Sequence, residues 1–371
     1  MPRIDPFEME RMQSLYWHLV EYDLSESGVE PLTLRELLAL AGADPDRFLE
    51  TALGYPLSEG SQEARDAIAS WYPGADASNV TMVNGGSEAN LLVLWALLEP
   101  GDRLAFMTPN YLQGVGLGRF FGDASDTFSL VRTGDRWALD ADALAAAVGE
   151  RTKAIMVCNP NNPTGAVLIE AEMDALVEAA SRVGAWIVAD EIYRGAEVEG
   201  AAASPTFWGR YDRVVVTSGL SKAFALPGLR VGWVVAPPET IAQVWERHDY
   251  TTLTPSMIAD RLVPLAMEAR TRERILERTR TIVRTNLPPV EGWIESNPAL
   301  SYVRPVAGAI VYVDYSLDVE PRALCERARR DQSVLLVPGD MFGLGKGFRI
   351  GFGFDLERTM KGLERVSALL M

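Results

Sequence analysis

Along the first 240 residues, short runs of consecutive apolar positions alternate with stretches whose apolar residues recur about every 3.6 positions, and turn residues separate the two kinds. Thr81-Met82-Val83, Arg103-Leu104-Ala105-Phe106-Met107, Ala154-Ile155-Met156-Val157-Cys158, Trp186-Ile187-Val188-Ala189 and Arg213-Val214-Val215-Val216 are the clearest strand candidates. Their near-continuous apolar character predicts burial on both faces, hence a mostly parallel sheet between two helical layers. From about Pro255 an Arg- and Glu-rich pattern predicts one long helix to about Arg284, stopped by Pro288-Pro289. Ile310-Val311-Tyr312-Val313, Val334-Leu335-Leu336-Val337 and Phe348-Arg349-Ile350-Gly351 then predict strands of a smaller unit. The expected fold is α/β: a three-layer α/β/α large domain with a mostly parallel sheet, and a smaller α+β domain. Residues 1–45 are assigned to an N-terminal segment of the small domain, 46–252 to the large domain and 253–371 to the C-terminal small domain.

Composition narrows the chemistry. The 371 residues carry 35 Lys and Arg against 51 Asp and Glu, a net charge of −16, so the overall field repels polyanions and nucleic acid is not an expected partner. Apolar runs such as residues 91–98 fall short of the roughly 18 needed to cross a bilayer, and Met1-Pro2-Arg3-Ile4-Asp5 lacks the apolar stretch of a signal peptide. No membrane association is expected. Two cysteines, Cys158 and Cys325, make neither a disulfide framework nor a zinc cluster, and fit a reducing cytoplasm. With only His18 and His248, neither a His-rich metal site nor a Ser-His-Asp triad is expected. The chemistry therefore falls to Lys, Tyr, Asp, Arg or a cofactor.

Five segments supply candidates. In Asn84-Gly85-Gly86-Ser87-Glu88-Ala89 a strand ends in glycines and a helix begins, which aims backbone N–H groups and the positive helix end at one point. Alone, this reads first as an ordinary strand-to-helix turn capped by Ser87. Asn159-Pro160-Asn161-Asn162-Pro163-Thr164-Gly165 follows a buried strand, and its prolines fix asparagine amides at the sheet's C-terminal edge, where open α/β sheets bind ligands. In Asp190-Glu191-Ile192-Tyr193, strand alternation turns the two carboxylates to opposite faces, so they are not an acid/base pair. Asp190 is a candidate partner for a protonated ring nitrogen, or else a helix cap. Lys222, in Thr217-Ser218-Gly219-Leu220-Ser221-Lys222-Ala223-Phe224, sits among small and apolar residues; desolvation would depress its pKa and free it as an amine nucleophile. Arg230 follows eight residues later. Together these groups describe a phosphorylated pyridine aldehyde as the ligand.

Their order and spacing, with Asn-Pro-Thr-Gly, Asp-x-x-Tyr, Ser-Lys and Lys-x7-Arg, resemble the class I/II aminotransferases, pyridoxal 5'-phosphate (PLP) enzymes of fold type I. The resemblance covers nearly the whole chain. It implies that Lys222 forms the internal aldimine with PLP and moves the substrate's Cα proton. Asp190 would pair with the pyridinium nitrogen, while Asn162 and Tyr193 would hydrogen-bond the ring's phenolic oxygen. Tyr111 would stack on the ring, and Gly85, Gly86, Ser87 and Arg230 would hold the phosphate. Tyr55 resembles the tyrosine that reaches the phosphate of a neighbouring subunit, which implies a homodimer with shared active sites. Arg349, in Phe-Arg-Ile-Gly-Phe, resembles the clamp for the substrate α-carboxylate, and Gly28, with Asn162, lies where the family meets the substrate. Gly219 departs from the Ser or Thr that many relatives carry three residues before the lysine; Ser218 or Ser221 could supply the hydroxyl.

The implied reaction is ping-pong transamination between an L-amino acid and a 2-oxo acid. Tyr22-Asp23-Leu24-Ser25-Glu26-Ser27-Gly28-Val29, Leu226-Pro227-Gly228-Leu229-Arg230 and Val337-Pro338-Gly339 are also similar to capreomycidine synthase-like members, which cyclise a hydroxylated arginine by elimination and replacement. A DNA-binding PLP regulator is disfavoured by the short acidic stretch before the large domain, and a catalytically dead homologue by Lys222, Asp190, Arg230 and Arg349. Tyr16, Trp17, His18 and Cys158 read as packing, His248 as a turn, and Arg272, Arg274, Arg278 and Arg280 as a solvated helix face.

Overall fold

The computed structural model of the chain describes residues 4–370; residues 1–3 and 371, at the ends of the first and last expected segments, lie outside it. The N-terminal segment contributes one short strand, β1 (Tyr22–Asp23). An eight-stranded sheet follows, built from β2 (Val80–Val83), β3 (Arg103–Thr108), β4 (Ala124–Thr133), β5 (Arg136–Leu139), β6 (Thr152–Cys158), β7 (Trp186–Asp190), β8 (Val214–Gly219) and β9 (Gly232–Val235). Its order is β2-β9-β8-β7-β6-β3-β4-β5. The five strands β8, β7, β6, β3 and β4 run parallel, whereas β2, β9 and β5 join antiparallel.

Side-chain alternation sorts this sheet into two cores. Ala105, Met107, Ile155, Val157, Ile187, Ala189, Val214 and Val216 pack on one face. Leu104, Phe106, Ala154, Met156, Val188 and Val215 pack on the other, against Leu92, Val93 and Leu97 of the helix Gly86–Leu97. Both faces bury apolar groups, so the strands read as unbroken apolar runs, and the α/β/α sandwich follows.

The C-terminal part holds β10 (Leu300–Tyr302), β11 (Ile310–Tyr315), β12 (Val334–Leu335), β13 (Val337–Pro338) and β14 (Gly347–Gly351). The single strand expected at 334–337 is two pieces serving two sheets. β12 pairs in parallel with β1, and β13 pairs antiparallel with β14 in the sheet β10-β11-β14-β13. The N-terminal segment is thereby tied to the C-terminal unit, with further backbone bonds such as Leu24 N to the Leu335 carbonyl at 3.0 Å.

The long helix departs from its expected limits at both ends. It begins as Met257–Met267 and restarts as Ala269–Glu295, after Glu268 leaves helical geometry and accepts the Thr271 N–H on its own carboxylate. Pro288 and Pro289 lie inside it rather than ending it. A mid-helix proline costs about 3 kcal/mol, and the packing of Leu287, Val290, Trp293 and Ile294 outweighs that cost. Nor is the arginine-rich face wholly solvated. Arg280 is 0% exposed and meets Glu273 at 2.8 Å and Glu277 at 3.4 Å.

Candidate active site

Three neighbouring parallel strands end at one edge, and their C-terminal loops deliver most of the expected residues: 159–165 after β6, 190–193 after β7 and 220–230 after β8. They meet in a cavity of about 570 Å³ lined by Lys222, Asp190, Tyr193, Asn162, Arg230 and Arg349, with Gly86, Ser87 and Tyr111 on the same wall.

One end of the cavity is a cradle. Gly85 has φ +99°, a region that favours glycine, and a Cβ there would overlap the Arg230 guanidinium. The helix Gly86–Leu97 starts with no side-chain cap, so Ser87 is not the cap considered above, and among the described residues the Gly86 and Ser87 N–H groups have no acceptor, whereas those of Glu88 and Ala89 donate to the Gly85 carbonyl. Gly219 admits no side chain, because a Cβ there would overlap the Val231 carbonyl. Of the two alternative hydroxyls, Ser218 Oγ donates to the Glu191 carbonyl at 3.2 Å, whereas Ser221 lines the cavity.

Asp190 closes β7 beside Cys158. Its Oδ2 accepts from Asn90 Nδ2 at 3.0 Å and its Oδ1 from the Ile192 N–H at 3.1 Å, while Thr217 orients Asn90 by donating to its Oδ1 at 2.6 Å. Burial raises the Asp190 pKa, and these donors only partly offset it. Glu191 faces away: its Oε1 accepts from Thr206 Oγ1 and the Phe207 N–H, each at 2.8 Å, and burial pushes it up to about 7 against the pull of Arg194. The two carboxylates are separated by strand alternation, as expected. Tyr193 Oη donates to Ser27 Oγ at 2.9 Å. Asn162 Oδ1 accepts from Arg349 Nη1 at 2.8 Å, and its Nδ2 donates to nothing among the described residues. Arg349 is 1% exposed, also donates to the Ser25 carbonyl, and has an Nε without a partner. The residue lines the cavity, so its guanidinium is a cation that can meet a carboxylate there.

Lys222 corrects one expectation. Its Nζ lies 2.7 Å from Glu26 Oε1. Burial pulls the amine's pKa down, but Glu26 and Tyr193 together outweigh burial and the net shift is upward, not the depression expected of a desolvated lysine.

The first helix, Glu8–Tyr16, brings residues that the motif reading missed. Met9, Glu10, Gln13 and, just beyond, Trp17 line the cavity. Glu10 Oε1 accepts from Tyr111 Oη at 2.8 Å, and Gln13 Nε2 donates to the Ser25 carbonyl at 2.9 Å. Trp17 and Cys158, read above as packing, are cavity walls. Glu26 stood inside the quoted 22–29 segment without a role. Gly28 packs behind the wall: a Cβ there would lie 3.8 Å from Lys222 Cδ. Tyr55 is 87% exposed and lines an adjoining open groove whose wall Arg230 shares. His248 is not a turn but the buried end of the helix Pro238–His248, 3.0 Å from Thr252 Oγ1.

Residues 38–366 match the family model "Aminotransferase class I and II". Capreomycidine synthase of Streptomyces vinaceus is 30% identical over 352 residues, 93% of this chain and 88% of that protein. Among solved structures, a PLP-dependent aminotransferase from Streptococcus suis 89-1591 is 33% identical, with TM-score 0.92 over 99% of this chain and 98% of the other. The PLP-dependent cyclase OrfR is 30% identical, with TM-score 0.89 over 100% of this chain and 98% of the other. The cavity fits the cofactor these names share. The cradle leaves helix N–H groups beside Arg230, the Asn162 amide nitrogen has no acceptor among the described residues, and Asp190 presents an enclosed carboxylate.

Proposed function

Because this chain belongs to the class I and II aminotransferase family of pyridoxal-phosphate enzymes, we propose that it moves an amino group from an L-amino acid to a 2-oxo acid by ping-pong transamination. The observation that carries this reading is the convergence of Lys222, Asp190 and Arg349 on one cavity beside an uncapped helix start. When bound, the cofactor supplies an aldehyde that condenses with amines and a ring that accepts the electron pair left at Cα. Arg230 and the first-turn N–H groups at Gly86 and Ser87 would hold its phosphate, backed by Gly85. Asp190 would hold the ring nitrogen, Asn162 and Tyr193 the phenolic oxygen, and Tyr111 the ring face. Arg349 would fix the substrate's α-carboxylate, with Asn162 beside it and the chain at Gly28 backing that wall. Lys222 would tether the cofactor's aldehyde carbon and would carry the substrate's Cα proton on its amine.

A second reading, cyclisation by elimination and replacement, is favoured by the likeness to capreomycidine synthase and OrfR over nearly the whole chain. Purified protein given L-amino acids with pyruvate or 2-oxoglutarate separates the two. Transamination requires a new 2-oxo acid from at least one pair. No such product from any pair, with bound-cofactor absorbance that still responds to an amino acid, rejects it in favour of the second reading.

Arg349→Lys keeps the charge but loses the planar fork. We expect KM for the amino donor to rise roughly 10- to 100-fold with bound cofactor unchanged; an unaltered KM in steady-state assays places the carboxylate elsewhere.

The proposal includes a homodimer in which Tyr55 completes the neighbouring site, working in a reducing cytoplasm. Leu49, Leu53, Tyr55, Leu57, Tyr250 and Leu253 are exposed apolar groups that a second copy would cover. Sedimentation equilibrium is expected to give twice the chain mass, and Tyr55→Phe to weaken cofactor retention about 10-fold without dissociating the dimer. A monomer retaining its cofactor fully refutes both. The domain limits 46–252 and 253–371, with 1–45 assigned to the small domain, remain part of the same proposal, supported by the pairing of β1 with β12.

A further inference from the structure

We propose that Glu26 is a further catalytic residue, a fixed counter-ion for the ammonium that forms on Lys222 when this amine takes the substrate's Cα proton. The inference rests on the proposed role of Lys222.

The two groups touch at the reacting atom, Lys222 Nζ to Glu26 Oε1 at 2.7 Å. The carboxylate is fixed by the backbone: the same oxygen accepts the Ser27 and Gly28 N–H groups, both at 2.9 Å. Gly28 leaves room for it, since a Cβ there would lie 3.3 Å from Oε1. From the other side, β14 holds the Glu26 main chain. Gly351 N donates to the Leu24 carbonyl at 2.8 Å, and a Cβ on Gly351 would overlap the Glu26 carbonyl. Arg349, on the same strand, donates to the Ser25 carbonyl. A rigid carboxylate thus faces a lysine on a flexible four-carbon stem, so the lysine is the partner that moves.

Tyr193 and Arg349 also face Lys222, and Asp190, Arg230 and Glu10 complete the charged cavity wall. Burial raises the Glu26 pKa, but the Lys222 ammonium, the Ser27 N–H and the Arg349 guanidinium hold it at about 2. With Lys222 protonated, Glu26 is therefore ionised, so the proton, once transferred, rests on the amine beside a carboxylate. In the step, the Cα–H bond breaks, its electron pair stays with carbon, and an N–H bond forms on Nζ. Nitrogen goes from neutral to cationic, and a fixed anion within hydrogen-bond reach favours that change. The reverse transfer uses the same proton.

The same contact has a cost in the cofactor-free chain, because a protonated Lys222 cannot condense with an aldehyde. This allows a readout that does not depend on turnover. Apo-protein is mixed with PLP across pH 6 to 10 and covalent capture is followed by absorbance. The wild-type capture rate should keep climbing with pH, and Glu26→Gln should shift that profile about 1 to 2 pH units toward acid. Exchange of the substrate's Cα–H for deuterium, read by proton NMR, should slow roughly 10- to 100-fold in cofactor-loaded Glu26→Gln, with Glu26→Asp between the two. Wild-type exchange in a loaded Glu26→Gln, or an unshifted capture profile, overturns the proposal. If neither variant folds, a wild-type capture rate already flat from pH 8 upward overturns it too. If no amino acid exchanges its Cα–H in the wild type, the transaminase reading itself has failed, which is a different outcome.

Discussion

Lys222→Ala is expected to lower turnover by at least about 10⁴-fold while the protein still binds pyridoxal phosphate without a covalent link. Two tasks fall on one amine: the tether to the cofactor and the transfer of the Cα proton. Proton transfer by a positioned group alone is worth roughly 10² to 10⁴ in rate, and the loss of amine exchange adds to it. Cofactor retention has a separate basis. The helix start at Gly86 and Ser87, Asp190 and Asn162 belong to other segments of the wall, Arg230 lies eight residues further along the same loop, and all survive the substitution. Glu26 then loses its cation, but it keeps the two N–H donors of Ser27 and Gly28 and part of its surface in the cavity, so the fold is expected to persist. Borohydride treatment and peptide mass analysis should find the cofactor on residue 222 in the wild type and on no residue in the variant. Turnover within tenfold of wild type would remove Lys222 from the chemistry.

The sheet was legible because both of its faces are covered, so β3, β6, β7 and β8 announce themselves as unbroken apolar runs. Legibility failed where neighbours in space are far apart in sequence. β1 and β12 pair across some 300 residues, and that pairing, with β14, brings Glu26 to Lys222. Glu10, Gln13 and Trp17 sit on a helix with aromatic and acidic residues of the kind found on many surfaces; nothing local marks them as cavity walls. The fate of Pro288 and Pro289 was hidden for a related reason. Local propensity says stop, while the apolar face continuing through Val290, Trp293 and Ile294 says continue, and burial wins by an amount that only packing reveals. Lys222 illustrates the same limit in electrostatics. Its apolar flanks argue for a lowered pKa, and the two residues that turn the shift upward, Glu26 and Tyr193, both lie far from it in sequence.

Asp190→Asn is expected to cost about 3 kcal/mol or more in the barrier, roughly 10²- to 10³-fold in kcat. The carboxylate sits at the end of β7 with one oxygen taken by Asn90 and the other by the Ile192 N–H. Its pKa is raised by burial, so the native cofactor-free chain binds a proton there more readily than the unfolded chain. Between the ordinary carboxylate value of 3.8 and the raised one, this group's contribution to stability is present at low pH and lost as pH rises. A ring nitrogen bearing a proton reverses that balance by giving the anion a cation, so bound cofactor should add more to the melting temperature at pH 8 than at pH 4, just above the ordinary carboxylate value. Asparagine cannot carry the charge. In Asp190→Asn the pH-dependent part of the cofactor's stabilisation should shrink together with kcat, while donor KM changes little. Thermal melts of apo and loaded protein at both pH values, beside steady-state kinetics, test this directly. A variant with intact kcat, or with an unchanged pH dependence of cofactor stabilisation, would show that the carboxylate does not serve the ring.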